Sequence, residues 1–273
     1  KRPTRRSTID DGGSADEPRF ARRRERSGVV EQRAQRPAAL VTGATGGIGA
    51  ALARVLAAEG HDLTVVARGR DRLLALGDQL RAGGAGVLEV DADLAEPGAA
   101  ERVTAAHVAR FGRLDVLVNT VGIGMAGPLA EQSERAVELQ ITLNLRVPIA
   151  FYRAASEHLA AAAADRGCAL VLLIGSYSGA APLGGLAVYS ATKRALTGLA
   201  EAMNRELGEQ GVKSTVFSPG YVRTEMTEAF AGSAGSAPML EPADLAEALR
   251  FLLRTSPQCV IPELHFLRPG LRM

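Results

Sequence analysis

The sequence predicts an α/β protein built on a doubly wound parallel sheet in a single domain. Three observations carry that expectation. Short apolar runs of strand length alternate with helical patterns through most of the chain, and regular strand–helix alternation is the mark of a parallel sheet covered on both faces. The first apolar run passes straight through a glycine-rich turn into a helical stripe. Finally, a chain of 273 residues that is 47% hydrophobic can bury a large core, and that length fits one α/β domain better than two small ones.

The small net charge of +2 is unevenly spread: residues 1–37 hold eleven Lys/Arg against six Asp/Glu, leaving 21 basic and 24 acidic residues for the rest. The body is therefore slightly acidic, which argues against a nucleic-acid groove, and no nucleic-acid partner is expected. Residues 1–36 are polar and lack a sustained apolar period. They read as a flexible basic N-terminal arm ahead of a domain over 37–273. The cluster of Arg22, Arg23, Arg24 and Arg26 suits either water or an acidic partner. Cys168 and Cys259 make neither a disulfide scaffold nor a metal knuckle, so no metal is expected and a reducing, cytoplasmic compartment is the default. The apolar core of a secretory signal is missing, and the longest apolar run, Ala169–Ile174, is too short to span a bilayer.

The first strand, beginning at Ala38, runs into Thr42-Gly43-Ala44-Thr45-Gly46-Gly47-Ile48-Gly49, after which Ile48, Leu52, Val55 and Leu56 share one helical face. Glycines let a backbone approach a pyrophosphate closely, and free N–H groups at the helix start attract its charge. A second strand, Asp62 to Ala67, ends in Arg68, followed by Arg70 and Arg72. An NAD-binding fold usually places an acid at this strand end to grip the ribose hydroxyls. Ala67 and Arg68 stand there instead, and a guanidinium suits a 2′-phosphate, so NADP(H) is expected ahead of NAD(H); a solvated basic loop is the alternative. A helix over Arg72–Arg81, a strand Gly86–Val90 and then Asp91-Ala92-Asp93-Leu94 follow. Asp93 is placed to accept from an adenine amine, or to cap a helix with no ligand at all.

A helix over Pro97–Phe111 precedes the strand Leu114–Val118, which closes on Asn119-Thr120-Val121-Gly122. The pattern then predicts one helix from Ser133 to Tyr152, with Asn144 in apolar company. A buried amide needs partners, so Asn144 either ties backbone groups together or orders water. The strand Ala169–Ile174 delivers Ser176 at its carboxyl end, where ligands bind in open α/β sheets. A serine nucleophile would need a histidine, but His61, His107, His158 and His265 fall in no triad order. A hydrogen-bonding role for Ser176 follows.

Tyr189 and Lys193 are four residues apart and share a helix face, where an ammonium would bias a phenol toward ionisation. Such a phenol is an acid or base candidate. Small residues further along, Ala191, Ala195, Gly198 and Ala202, permit close helix packing within the domain or across a symmetric dimer. A strand over Ser214–Phe217 opens into Ser218-Pro219-Gly220-Tyr221-Val222-Arg223-Thr224. Residues 225–240 have the composition of a movable lid, and a helix Ala243–Leu253 and the segment Val260–Leu267 finish the chain.

From Ala38 to about Pro269 the chain resembles the short-chain dehydrogenase/reductase family in its short, single-domain form, and its NADP-preferring subgroup. The resemblance rests on T-G-x-x-x-G-x-G at Thr42–Gly49, Asp93, N-x-x-G at Asn119–Gly122, Asn144, Ser176, Y-x-x-x-K at Tyr189 and Lys193, and P-G-x-V-x-T at Pro219–Thr224. It implies a Rossmann-type domain, hydride transfer between NAD(P) and a small-molecule carbonyl or alcohol, and a homodimer or homotetramer. Tyr189 would protonate the nascent alkoxide, Ser176 would bond the same oxygen, Lys193 would hold the nicotinamide ribose and lower the Tyr189 pKa, and Asn144 would position a relay water. Thr42, Gly43, Thr45, Gly47, Ile48 and Gly49 would line the pyrophosphate. Arg68, Asp93 and Leu94 would take the adenosine end, Asn119 and Gly122 would border the cofactor, and Pro219, Gly220, Val222 and Thr224 would face the carboxamide.

Three departures stand out. Val121 replaces the alanine of the family's N-N-A-G, Gly175 replaces the first serine of a Ser-Ser pair, and the tail Pro262–Pro269 lacks the V-D-G-G of many ketoacyl reductases. Met125, Tyr177, Leu183, Met226 and Phe230 are candidates for an apolar substrate wall or ordinary core. A regulator or scaffold that kept the fold and lost turnover is the alternative to an enzyme.

Overall fold

The computed structural model describes residues 35–228 and 239–270. Seven strands form one sheet in the order β3-β2-β1-β4-β5-β6-β7, and every neighbouring pair is parallel. The strands are β1 (Ala38–Thr42), β2 (Asp62–Ala67), β3 (Val87–Asp91), β4 (Val116–Asn119), β5 (Ala169–Ile174), β6 (Val212–Pro219) and β7 (Glu263–Phe266). The order reverses between β1 and β4, which opens a crevice at their carboxyl ends.

Helices cover both faces, as the alternation requires. On one face α1 (Gly47–Ala58), α2 (Arg70–Ala82) and α9 (Pro242–Arg254) set Leu52, Leu56, Leu73, Leu76, Leu245 and Leu249 against Val41, Val65, Val118 and Leu172. On the other, α3 (Ala99–Phe111), α5 (Val147–Arg166) and α7 (Ala187–Leu207) set Val103, Phe151, Leu159, Leu196 and Met203 against Leu40, Leu117, Val171 and Leu173. Successive strand residues thus alternate between two dry layers, so the strands read as unbroken apolar runs. Phe151 and Leu159 are fully buried; truncating either to Ala would cost about 2–5 kcal/mol.

The single helix expected from Ser133 to Tyr152 is three pieces: α4 (Glu134–Ile141), a π-helical turn (Thr142–Arg146), and α5, which runs on to Arg166 and absorbs the Ala-rich stretch. Val147 donates its N–H to the Thr142 carbonyl, five residues back. Pro148 sits in the first turn of α5 and has no N–H to give the Asn144 carbonyl, so the ordinary ladder is interrupted there. The other boundaries move by small amounts, β6 by two residues at each end, and the expected final segment contributes β7.

Among the described residues there are also two short α-helices, α6 (Tyr177–Ala180) and α8 (Glu225–Glu228). Of the expected arm, residues 1–34 lie outside the described residues. Arg36 belongs with the domain: its Nε donates to the Gly60 carbonyl at 2.9 Å and lies 3.4 Å from Asp62. The middle of the expected lid, 229–238, with Phe230, also lies outside the described residues. No helix among the described residues is long and apolar enough to cross a membrane.

Candidate active site

The crevice is a cleft of about 510 Å³, and the glycine turn forms one wall. Gly43 has φ +64°, a left-handed conformation that suits glycine. A Cβ on Gly49 would lie 2.3 Å from the Gly43 carbonyl oxygen, and one on Gly47 would lie 2.9 Å from Thr224 Cγ2. Helix α1 starts here with no side-chain cap and no acid in its first turn, leaving N–H groups for an anion. A turn that tolerates no Cβ beside an uncapped helix start fits the pyrophosphate of a dinucleotide.

Beyond β2, exposed Arg68 lines the cleft with Arg72. Arg72 Nη1 reaches both carboxylate oxygens of Glu225 at 3.1 Å. Asp93 and Leu94 line the same end. Asp93 accepts from the Ala95 N–H at 2.9 Å, a local turn rather than a helix cap, because Gly98 caps α3.

At the other end Ser176, Tyr189 and Lys193 converge. Ser176 follows β5 and accepts from the Ser178 N–H at 3.2 Å, starting α6. Helix α7 carries the other two. Lys193 is 5% exposed. Its Nζ donates to the Ile174 carbonyl at 2.8 Å and lies 5.7 Å from the Tyr189 ring centroid. Burial lowers the Lys193 pKa to about 8, because a dry site disfavours the charged form.

The expected lowering of the Tyr189 pKa by Lys193 is not what the site does. Burial raises the phenol pKa, and the opposing pull comes from a hydrogen bond with Ser176.

Asn144, in the π turn, is fully buried and does not line the cleft. Its Oδ1 accepts from the Ile123 N–H at 2.8 Å, and its Nδ2 donates to the Ile123 carbonyl at 2.9 Å and to Thr192 Oγ1 at 3.0 Å. Of the two roles open in the sequence, the side chain performs the first: it ties backbone together. A Cβ on Gly122 would meet Asn144 Oδ1 at 3.0 Å and Lys193 Nζ at 3.1 Å, so a side chain here would press on both.

Gly43, Thr45, Gly47, Ile48, Gly49, Gly122, Pro219, Gly220, Val222 and Thr224 also line the cleft. Thr42 and Asn119 do not. They are register partners at the ends of β1 and β4, and Thr42 Oγ1 donates to Asn119 Oδ1 at 3.3 Å. Their position in the sheet gives them to the β1–β4 seam. Val121 lines the cleft, and so does Met226, alone among the proposed apolar wall residues that are described. Gly175 is explained by its neighbours: a Cβ there would fall 2.7 Å from Val216 Cγ1 and 2.8 Å from Ser218 Oγ.

Several contributors carried no signal in the sequence. Thr120 Oγ1 donates to the Thr42 carbonyl at 2.6 Å and backs the glycine turn. Thr192 braces Asn144, and Glu225 meets Arg72. Each acts through a partner tens of residues away.

Known proteins share this architecture. The family model described as short chain dehydrogenase matches residues 37–233. A putative ketoacyl reductase of the granaticin polyketide synthase from Streptomyces violaceoruber is 35% identical over 195 residues, 71% of each chain. The 3-oxoacyl-acyl-carrier-protein reductase FabG of Escherichia coli is 32% identical over 191 residues, covering 70% of this chain and 75% of its own. The alcohol dehydrogenase of Thermococcus sibiricus, solved with 5-hydroxy-NADP, superposes with a TM-score of 0.76 at 29% identity, covering 86% of this chain and 99% of that one. By sequence motif, sheet order and relatives alike, the chain belongs to the short-chain dehydrogenase/reductase family in its single-domain form.

Proposed function

We propose that the chain is an NADPH-dependent oxidoreductase that interconverts a ketone or aldehyde and a secondary or primary alcohol, with Tyr189 as the general acid/base. The observation that carries this reading is the convergence of Ser176, Tyr189 and Lys193 at one end of a cleft whose other end is the glycine turn and Arg68.

The residues divide the work by their chemistry. Gly43, Gly47 and Gly49 would hold the pyrophosphate and Arg68 the 2′-phosphate, with Asp93 toward the adenine. Bound nicotinamide supplies or accepts the hydride. Tyr189, with its raised pKa, stays protonated at neutral pH and suits donation to a developing alkoxide. Ser176 bonds the phenol and would steady the same substrate oxygen. Lys193, with a pKa of about 8, holds a proton at Nζ that is exchangeable near neutral pH.

NADP preference is supported by the guanidinium of Arg68 where an NAD-binding fold carries an acid, and by the NADP derivative in the Thermococcus sibiricus relative. Ile123, Val121 and Met226 on the cleft support an apolar substrate. On α7, Ala191, Gly198 and Ala202 lie exposed, which supports a homodimer or homotetramer; sedimentation velocity tests it.

The test is NADPH oxidation against a panel of ketones and aldehydes, with NADPH and NADH binding on the same preparation. Tyr189-dependent turnover sustains the reading. NADPH binding with no turnover across a broad panel would move the protein toward a cofactor-binding regulator.

A further inference from the structure

The loop after β4 passes beside the proposed acid. A Cβ on Gly124 would lie 3.4 Å from Cδ2 and 3.5 Å from Cε2 of Tyr189, so the loop backbone runs beside the ring at about a methyl group's remove. Asn144 fixes Ile123, just before this contact. What fixes the loop just after it is a pair of carboxamides.

Gln140, on α4, is 0% exposed. Its Oε1 accepts from the Met125 N–H at 3.2 Å, while its Nε2 donates to Gln132 Oε1 at 3.1 Å and to the Ala136 carbonyl at 3.3 Å. Gln132 in turn aims its Nε2 at the carbonyls of Gly127 at 3.3 Å and Met125 at 3.5 Å. Gly127, at φ +147°, donates its N–H to the Gly185 carbonyl at 2.9 Å, joining this loop to the one ahead of α7. A buried amide is unfavourable unless its groups are paired, and an apolar residue would fill the α4 position without that demand. Apart from the Ala136 carbonyl on its own helix, the partners of this one run to the loop beside Tyr189, either directly or through Gln132.

We propose that Gln140 and Gln132 are positioning residues for this site: acting as one unit, they hold residues 125–127 so that Gly124 stays beside the Tyr189 ring and the two substrate-side loops stay joined through Gly127 and Gly185. The proposal rests on reading Tyr189 as the acid. Ser176 and Lys193, which also face Tyr189, make no hydrogen bond to the glutamine pair among the described residues. Loosening the pair therefore changes where a substrate carbonyl is held relative to the phenol, while the glycine turn on the opposite wall keeps its cofactor contacts.

The test uses full-length protein, with Gln140→Leu, Gln132→Ala and the double variant. For a ketone that the wild type reduces, kcat/KM is expected to fall about tenfold or more in Gln140→Leu, because small misplacements of reacting groups are costly. NADPH affinity is expected to change by less than about twofold, since its contacts lie elsewhere. The double variant should be no worse than Gln140→Leu, the behaviour of residues in one network. Amide hydrogen exchange should quicken in peptides spanning 123–128 and stay unchanged in those spanning 42–49. Wild-type kcat/KM and exchange in Gln140→Leu would overturn the proposal, and so would parallel losses of kcat/KM and NADPH affinity, which signal general loosening. Should Gln140→Leu fail to fold, Gln132→Ala leaves the buried amide in place and decides by the same readouts. A wild type that binds NADPH but reduces no carbonyl would count against the function; the exchange arm then decides the clamp, with faster exchange confined to 123–128 sustaining it and unchanged exchange overturning it.

Discussion

The ammonium nitrogen of Lys193 bonds to the carbonyl oxygen of Ile174 at 2.8 Å, a neutral backbone group rather than a carboxylate. A lysine held this way is stabilised by a hydrogen bond but not by a compensating charge, and burial brings its pKa down to about 8. In the unfolded chain it titrates near 10.5. Between these values the unfolded state binds the extra proton, so stability rises with pH across the window. From pH 7 to pH 10 the rise attributable to Lys193 is about 2 kcal/mol. Urea unfolding of the wild type and Lys193→Met at both pH values isolates it, and the variant should lack that increment.

Tyr189→Phe keeps the ring beside Gly124 and removes only the hydroxyl. Binding of NADPH should stay within about threefold while turnover falls by about 10²–10⁴, the usual contribution of a positioned acid. Stopped-flow single turnovers with tightly bound cofactor would measure both. Undiminished turnover would assign the proton to another group.

Arg68 is the guanidinium at the end of β2. Arg68→Asp should lower the ratio of NADPH to NADH affinity by about tenfold or more, since it exchanges a cation suited to phosphate for an acid suited to ribose hydroxyls. Isothermal titration with both cofactors, repeated at high salt, reads the ratio; an unchanged ratio would leave Arg68 as a solvated residue.

His107 is a structural histidine away from the cleft. It is 0% exposed, its Nδ1 meets Thr64 Oγ1 at 2.8 Å and its Nε2 meets the Arg113 carbonyl at 2.9 Å, which assigns the proton to Nε2 and makes Thr64 the donor at Nδ1. Burial lowers its pKa to about 4. The unfolded state therefore takes up a proton between about pH 6.5 and 4 that the folded state refuses, and stability is lost as pH falls through that window. From pH 7 to pH 5 the loss is about 2 kcal/mol. Guanidinium melts should show it in the wild type, and His107→Leu, although less stable at pH 7, should show a flatter pH response.

Which features the sequence disclosed follows from how local they are. Strand and helix positions came through because burial on two faces writes unbroken apolar runs into β1, β4 and β5 and periodic stripes into α1 and α9. The break at Thr142–Arg146 did not, because a π turn leaves the apolar period almost unchanged and only Pro148 hints at it. The motifs place Thr42 and Asn119 by the cofactor, and only the register of β1 with β4 shows that the Thr42 hydroxyl also bonds Asn119 Oδ1.

The order of the motifs, the glycine turn and the spacing of Tyr189 from Lys193 were determined by the sequence alone, since a helix face or a tight turn depends only on neighbouring residues. The sign of the Tyr189 pKa shift, the backbone carbonyl that Lys193 finds, the bidentate grip of Asn144 on Ile123 and the Gln132–Gln140 pair were decided by the tertiary structure. These are properties of groups brought together from distant parts of the chain, and they depend on how far water is excluded and which donors and acceptors remain to replace it, which is settled when the layers pack.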